Sequence, residues 1–147
     1  MPLSHDQVRP GDAVPELRVT PTPESLVRWA GASGDFTPIH YDHAFATGVA
    51  GLPDIVVHGP YKLALLVRML VDWAGGEPGA VSRISVRLST MDFVGDELVC
   101  RGQVTGTRRE DGRDEVDCEV WVENSAGERT MAGTASVRVP AAAGVPA

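Results

Sequence analysis

One segment limits what this chain can become more than any other: the run PYKLALLVRMLVDWAG, which opens at Pro60 and closes at Gly75 and Gly76. Pro60 fits the first turn of a helix, where a missing amide costs nothing, and the two glycines stop it. Leu63, Ala64, Leu65, Leu66, Val67, Met69, Leu70, Val71 and Trp73 cover nearly the whole circumference, interrupted only by Lys62, Arg68 and Asp72. A helix that is apolar on almost every side needs burial on almost every side. The rest of the chain has to supply the cover.

The second half is built to do so, because its apolar period changes from 3.6 to 2. In residues 81–93, Ile84, Val86 and Leu88 alternate with Arg83, Ser85, Arg87 and Ser89. The same alternation runs through residues 97–109, 114–123 and 129–139, and residues 110–112 and 124–127 are turn material. The last three strands therefore form an antiparallel meander. Near the start, a short strand is expected at residues 16–20. Thr22 caps a helix behind it, with Pro23 in its first position, Glu24 in its first turn, and Gly31 and Gly34 ending it. One central apolar helix followed by a long antiparallel sheet describes an α+β domain whose sheet curls around the helix. A single domain over residues 1–147 is expected, with its core at about 8–139 and a frayed tail after Pro140.

Between the two helices, residues 35–58 carry no long periodic pattern beyond a short helix that Asp42 can cap. Loops of this length inside a compact domain are uncommon, and their aromatic and apolar content here disfavours disorder. A functional loop is the better reading. Within it, SGDFTPIHYD sets Asp35 and His40 five residues apart around Pro38. A histidine can move a proton at neutral pH, and a carboxylate can orient it or activate water. The same spacing also suits a turn cap at Asp35 and a satisfied histidine with no chemistry. His58, Gly59 and Pro60 begin the central helix, where glycine admits a ligand and unpaired amides favour a developing negative charge. Pro60 has no N–H, so the donor falls to Gly59 or a residue just after Pro60. A plain helix start with a glycine hinge is the competing reading.

Composition narrows the partners. The 13 basic and 20 acidic residues give a formal charge of -7, which repels a nucleic-acid backbone. An anionic carrier would need a local basic patch; Lys62, Arg68, Arg83 and Arg87 are candidates for phosphate or carrier contacts, against an ordinary solvated face. His43 with His40 and Asp42 lacks the spacing and fourth ligand of a metal site, so no metal is expected. Cys100 and Cys118 sit among alternating apolar residues as reduced core thiols. With no apolar run of spanning length and no signal-peptide order at the start, a soluble cytoplasmic protein is expected.

Taken in order, WAGASGDFTPIHYD, the loop ending IVVHG, the apolar helix and SVRLSTMDFVGDELVCRGQV resemble the MaoC-like family of (R)-specific enoyl hydratases and 3-hydroxyacyl-thioester dehydratases. The resemblance covers roughly residues 8–139 and implies a hot-dog fold. It puts Asp35 and His40 on the positions of the family's catalytic pair and leaves the oxyanion role with the Gly59 amide. His58 and Thr37 stand as supporting residues. Thr37 replaces the usual asparagine, a change that keeps a side-chain hydrogen bond. Pro60 replaces a methionine, and residues 64–67 lack the serine some members carry. The implied reaction is reversible syn hydration of an enoyl thioester, with no cofactor beyond coenzyme A or an acyl carrier protein as the substrate's handle. The general look is nearest to actinobacterial members acting on fatty, mycolic or steroid-side-chain thioesters. Family members of this length pair as homodimers or with a related, sometimes silent, subunit. A thioesterase and a non-catalytic subunit are the alternatives.

Overall fold

The structure is a computed structural model and describes residues 3–139; the expected frayed tail lies outside the described residues. Strand β1 (Ala13–Val19) leads to helix α1 (Pro23–Ser33). The central helix α2 (Gly59–Trp73) is followed by β2 (Val81–Leu88), β3 (Leu98–Glu110), β4 (Arg113–Glu123) and β5 (Arg129–Val139). All five strands form one antiparallel sheet in the order β1-β3-β4-β5-β2. The β3-β4-β5 meander is the one its alternation predicts. Pro15 lies in edge strand β1, where the register shifts between Val14 and Leu17 and a missing amide is tolerated.

The sheet curls around α2, which touches β1, β2, β3 and β4. Leu65, Leu66, Met69 and Leu70 are buried against Val104, Val116, Val120, Val122 and Val137 from the inward face of the strands. This is the hot-dog fold. Helix α1 starts as expected: the Thr22 hydroxyl accepts from the Ser25 amide while Ser25 Oγ accepts from the Thr22 amide. Gly31 lies inside α1 rather than ending it; Gly34 does that, in the left-handed conformation at φ 77°. The strand expected through residue 93 stops at Leu88, because the Ser89 and Thr90 amides both turn to the Thr130 carbonyl.

Lys62 corrects the sequence reading more sharply. Arg68 and Asp72 are exposed and paired along the helix, as an outer face should be, but Lys62 is fully buried under the sheet. A phosphate or carrier contact at Lys62 is therefore ruled out by burial. Arg83 and Arg87 lie on the other face of β2 from Ile84 and Val86, which pack on the core. Both are exposed and, among the described residues, form no ion pair. No described helix is long and apolar enough to cross a membrane.

Candidate active site

The site begins where α1 ends. Gly34 turns the chain, and Asp35 follows at once with its amide bonded to Ser33 Oγ at 3.2 Å. Asp35 Oδ1 accepts from both the hydroxyl (2.6 Å) and the amide (3.1 Å) of Thr37. These two donors, the hydroxyl first, hold the Asp35 carboxyl below the usual carboxylate range. The substitution of threonine for asparagine thus keeps the side-chain hydrogen bond. Pro38–His40 then forms a tight turn closed by the His40 amide on the Thr37 carbonyl.

That turn is stapled to the chain ahead of α2. The Val56 amide donates to the Ile39 carbonyl, and the Val56 carbonyl lies 2.7 Å from His40 Nδ1. A carbonyl can only accept, so Nδ1 carries the proton in the neutral ring and Nε2 is left with its lone pair. Nε2 faces Asp35 Oδ2 at 3.9 Å. The pair is reachable from solvent: the Asp35 side chain is 38% exposed and that of His40 12%. Two proton acceptors therefore face each other across a gap too wide for a direct hydrogen bond, with their outer atoms already occupied.

His58 closes the site from beneath. Its ring is fully buried and stacks on His40 at 3.8 Å between centroids and 19° between planes. Nε2 lies 3.3 Å from the Asp35 carbonyl, while Nδ1 is buried with no hydrogen-bond partner among the described residues. Burial pushes the His58 imidazole below its ordinary range, which favours the neutral ring. Gly59 follows directly. As the first residue of α2, its amide has no carbonyl one turn back to bond. A side chain here would crowd Leu88, whose Cδ2 lies 3.3 Å from an ideal Cβ at Gly59. Tyr61, in the same turn, holds α1 through an edge contact with Trp29 at 5.7 Å.

Asp35, His40 and His58 also bring ligand atoms within 4.8 Å of one another, close enough for a cation. His40 Nδ1 and His58 Nε2 are each aimed at a backbone carbonyl, which leaves one ring nitrogen on each histidine and Asp35 Oδ2 open. His43 lies apart, exposed and 3.9 Å from Asp54. Sequence reasoning missed the Val56 carbonyl, the His40–His58 stack and the burial of Lys62 against Asp92. Asp92 left a trace, as a lone carboxylate inside a segment read as strand.

The chain belongs to the MaoC-like domain family, whose model matches residues 6–138. It is 34% identical over 94 residues to the peroxisomal enoyl-CoA hydratase 2 of Arabidopsis thaliana, covering 63% of this chain and 29% of that protein. It is 33% identical over 96 residues to the 3-oxo-4,17-pregnadiene-20-carboxyl-CoA hydratase beta subunit of Mycobacterium tuberculosis, covering 65% of this chain and 72% of that one. The chain thus spans under a third of the first relative and most of the second. Among solved structures it superposes on the (R)-hydratase from A. caviae involved in PHA biosynthesis with a TM-score of 0.81. That match has 25% identity and covers 91% of this chain and 98% of the other.

Proposed function

We propose that the chain catalyses the reversible hydration of trans-2-enoyl thioesters to (3R)-hydroxyacyl thioesters, as a hydro-lyase without a redox cofactor. One observation carries the reading: Asp35 Oδ2 and His40 Nε2 face each other at 3.9 Å with their remaining polar atoms engaged. A water about 2.8 Å from each can donate one proton to each. As its oxygen bonds to the β-carbon, His40 Nε2 takes one proton. The electron pair of the double bond moves to the α-carbon and thioester oxygen, where the Gly59 amide stabilises the enolate. The imidazolium, facing the Asp35 carboxylate, returns the proton to the α-carbon on the same side. Water is added across the double bond, and the enzyme is unchanged. His58 supports His40 from below, and Thr37 keeps Asp35 ionised.

The substrate's handle is coenzyme A or an acyl carrier protein. Arg83 and Arg87, exposed and without an ion pair among the described residues, are its phosphate contacts in this reading: replacing both by alanine raises KM for a coenzyme A thioester but not for a pantetheine thioester. Equal KM values would remove them from the site. Exposed apolar side chains, Val49 at 72% foremost, and the open edge of β2 favour a second hot-dog subunit, identical or related. The relative described as a beta subunit favours the heteromeric form. Reduced, buried cysteines, with both thiols pushed up to about 12 by burial, fit a cytoplasmic setting. The test is hydration of short, long and steroid-bearing enoyl-CoA substrates. Asp35→Asn or His40→Ala lowers turnover at least about 100-fold in a folded protein. A near-normal rate in either would rule out their roles, and release of free thiol without hydration would favour a thioesterase.

A further inference from the structure

Lys62 and Asp92 form an ion pair at 2.7 Å with side chains 1% and 0% exposed. Apolar residues of similar volume fill a core at least as stably as a buried pair, so this one calls for a reason of position. Helix α2 has an unusual first turn. Its N-cap residue, His58, makes no side-chain cap bond, its first turn holds no acidic residue, and Lys62 brings positive charge near the positive end of the helix. The turn that carries Gly59 therefore lacks the usual means of being held.

Asp92 supplies the hold, from both sides of Gly59. Its backbone carbonyl accepts from the Val57 amide at 2.8 Å, two residues before Gly59. Its Oδ2 accepts from Lys62 Nζ, three residues after. The Thr130 hydroxyl donates to the same Oδ2 at 2.6 Å and accepts from Lys62 Nζ at 3.2 Å, which anchors the group to β5. The Thr90 carbonyl completes the lysine's shell at 3.1 Å. The Val56–Phe93 bridge and the Val94 amide on the Ile55 carbonyl fasten the neighbouring chain. Asp92 therefore holds the chain on both sides of Gly59 and is itself tied to β5 through Thr130.

We propose that Lys62, Asp92 and Thr130 are positioning residues, a buried clamp that aims the Gly59 amide at the substrate carbonyl beside the Asp35–His40 pair. The clamp rests on the thioester reading of the site. It touches no substrate and acts through the backbone, so loosening it slows the chemical step and leaves binding alone.

The full chain is compared with Thr130→Val, Thr130→Ser and the paired change Lys62→Met with Asp92→Val, measuring melting, kcat and KM on a trans-2-enoyl-CoA. Thr130→Val is expected to fold and lose about tenfold in kcat, with KM within about twofold and the rate returned by Thr130→Ser. The paired change, which leaves no lone buried charge, is expected to lose about 100-fold in kcat. If the paired variant does not fold, the two threonine variants decide the matter. A folded Thr130→Val protein with full kcat, or one with raised KM and unchanged kcat, overturns the clamp. Asp35→Asn runs alongside: if the parent is active and Asp35→Asn is dead while Thr130→Val is indifferent, only the clamp fails. A parent with no hydration activity sinks the underlying reading and the clamp with it.

Discussion

Replacing Gly59 with alanine tests the oxyanion position proposed at its amide, because alanine keeps the N–H and adds only a methyl. The new methyl would stand 3.3 Å from Leu88 Cδ2, a few tenths of an ångström inside an ordinary carbon contact. Leu88 is 49% exposed and can swing toward solvent. Gly59 is not among the glycines with positive φ, so alanine meets no backbone strain. Crowding is offset by the roughly 0.4–1 kcal/mol gained from a stiffer unfolded chain, and stability should move by less than about 1 kcal/mol. Catalysis has no such offset. Alanine keeps the N–H, so the loss comes through placement: a carbonyl displaced by about 1 Å costs on the order of 100-fold. Gly59→Ala should therefore melt near the parent yet lose about 100-fold in kcat, followed by the loss of enoyl-thioester absorbance. A folded variant with the parent's kcat would show that a methyl at this position does not displace the substrate carbonyl, against the placement proposed for it beside the Gly59 amide.

Other expected outcomes follow from single contacts. Thr37→Val removes the hydroxyl that holds the Asp35 carboxyl low, so that carboxyl rises. The proposed mechanism needs the carboxylate, so the acid limb of kcat/KM is expected to move to higher pH, and an unmoved limb would mean Asp35 does not set it. Gly133→Ala would put a Cβ 1.9 Å from the Ser85 carbonyl oxygen, where β2 runs beside β5. The strands must part, at a cost of roughly 3 kcal/mol or more in a denaturant titration; a loss under about 1 kcal/mol would mean the edge simply shifts.

Local patterns in the sequence carried much of this structure. The apolar circumference of α2 demanded a wrapping sheet, and period-2 alternation located its strands to within a few residues, because both depend on near neighbours. The Thr22 cap and the Gly34 stop were legible for the same reason. Asp35 and His40, five residues apart, could be paired on the page. Lys62 could not be placed, since the groups that bury it, Asp92 and Thr130, lie 30 and 68 residues away. The His40–His58 stack depends on the Val56 staple, which only the folded loop brings about. Strand β2 is shorter than its alternation predicts because Ser89 and Thr90 give their amides to the Thr130 carbonyl, a contact invisible to local alternation.

The most direct test is the stereochemistry of addition. The purified chain, alone and with a related hot-dog subunit, hydrates a trans-2-enoyl-CoA in deuterated water, and the product is read by chiral analysis and NMR. With Asp35 and His40 on one side of the substrate, the product is the (3R)-alcohol with deuterium added at the α-carbon on the face that received oxygen. A (3S) product, addition from opposite faces, or thiol release in place of hydration would contradict the account.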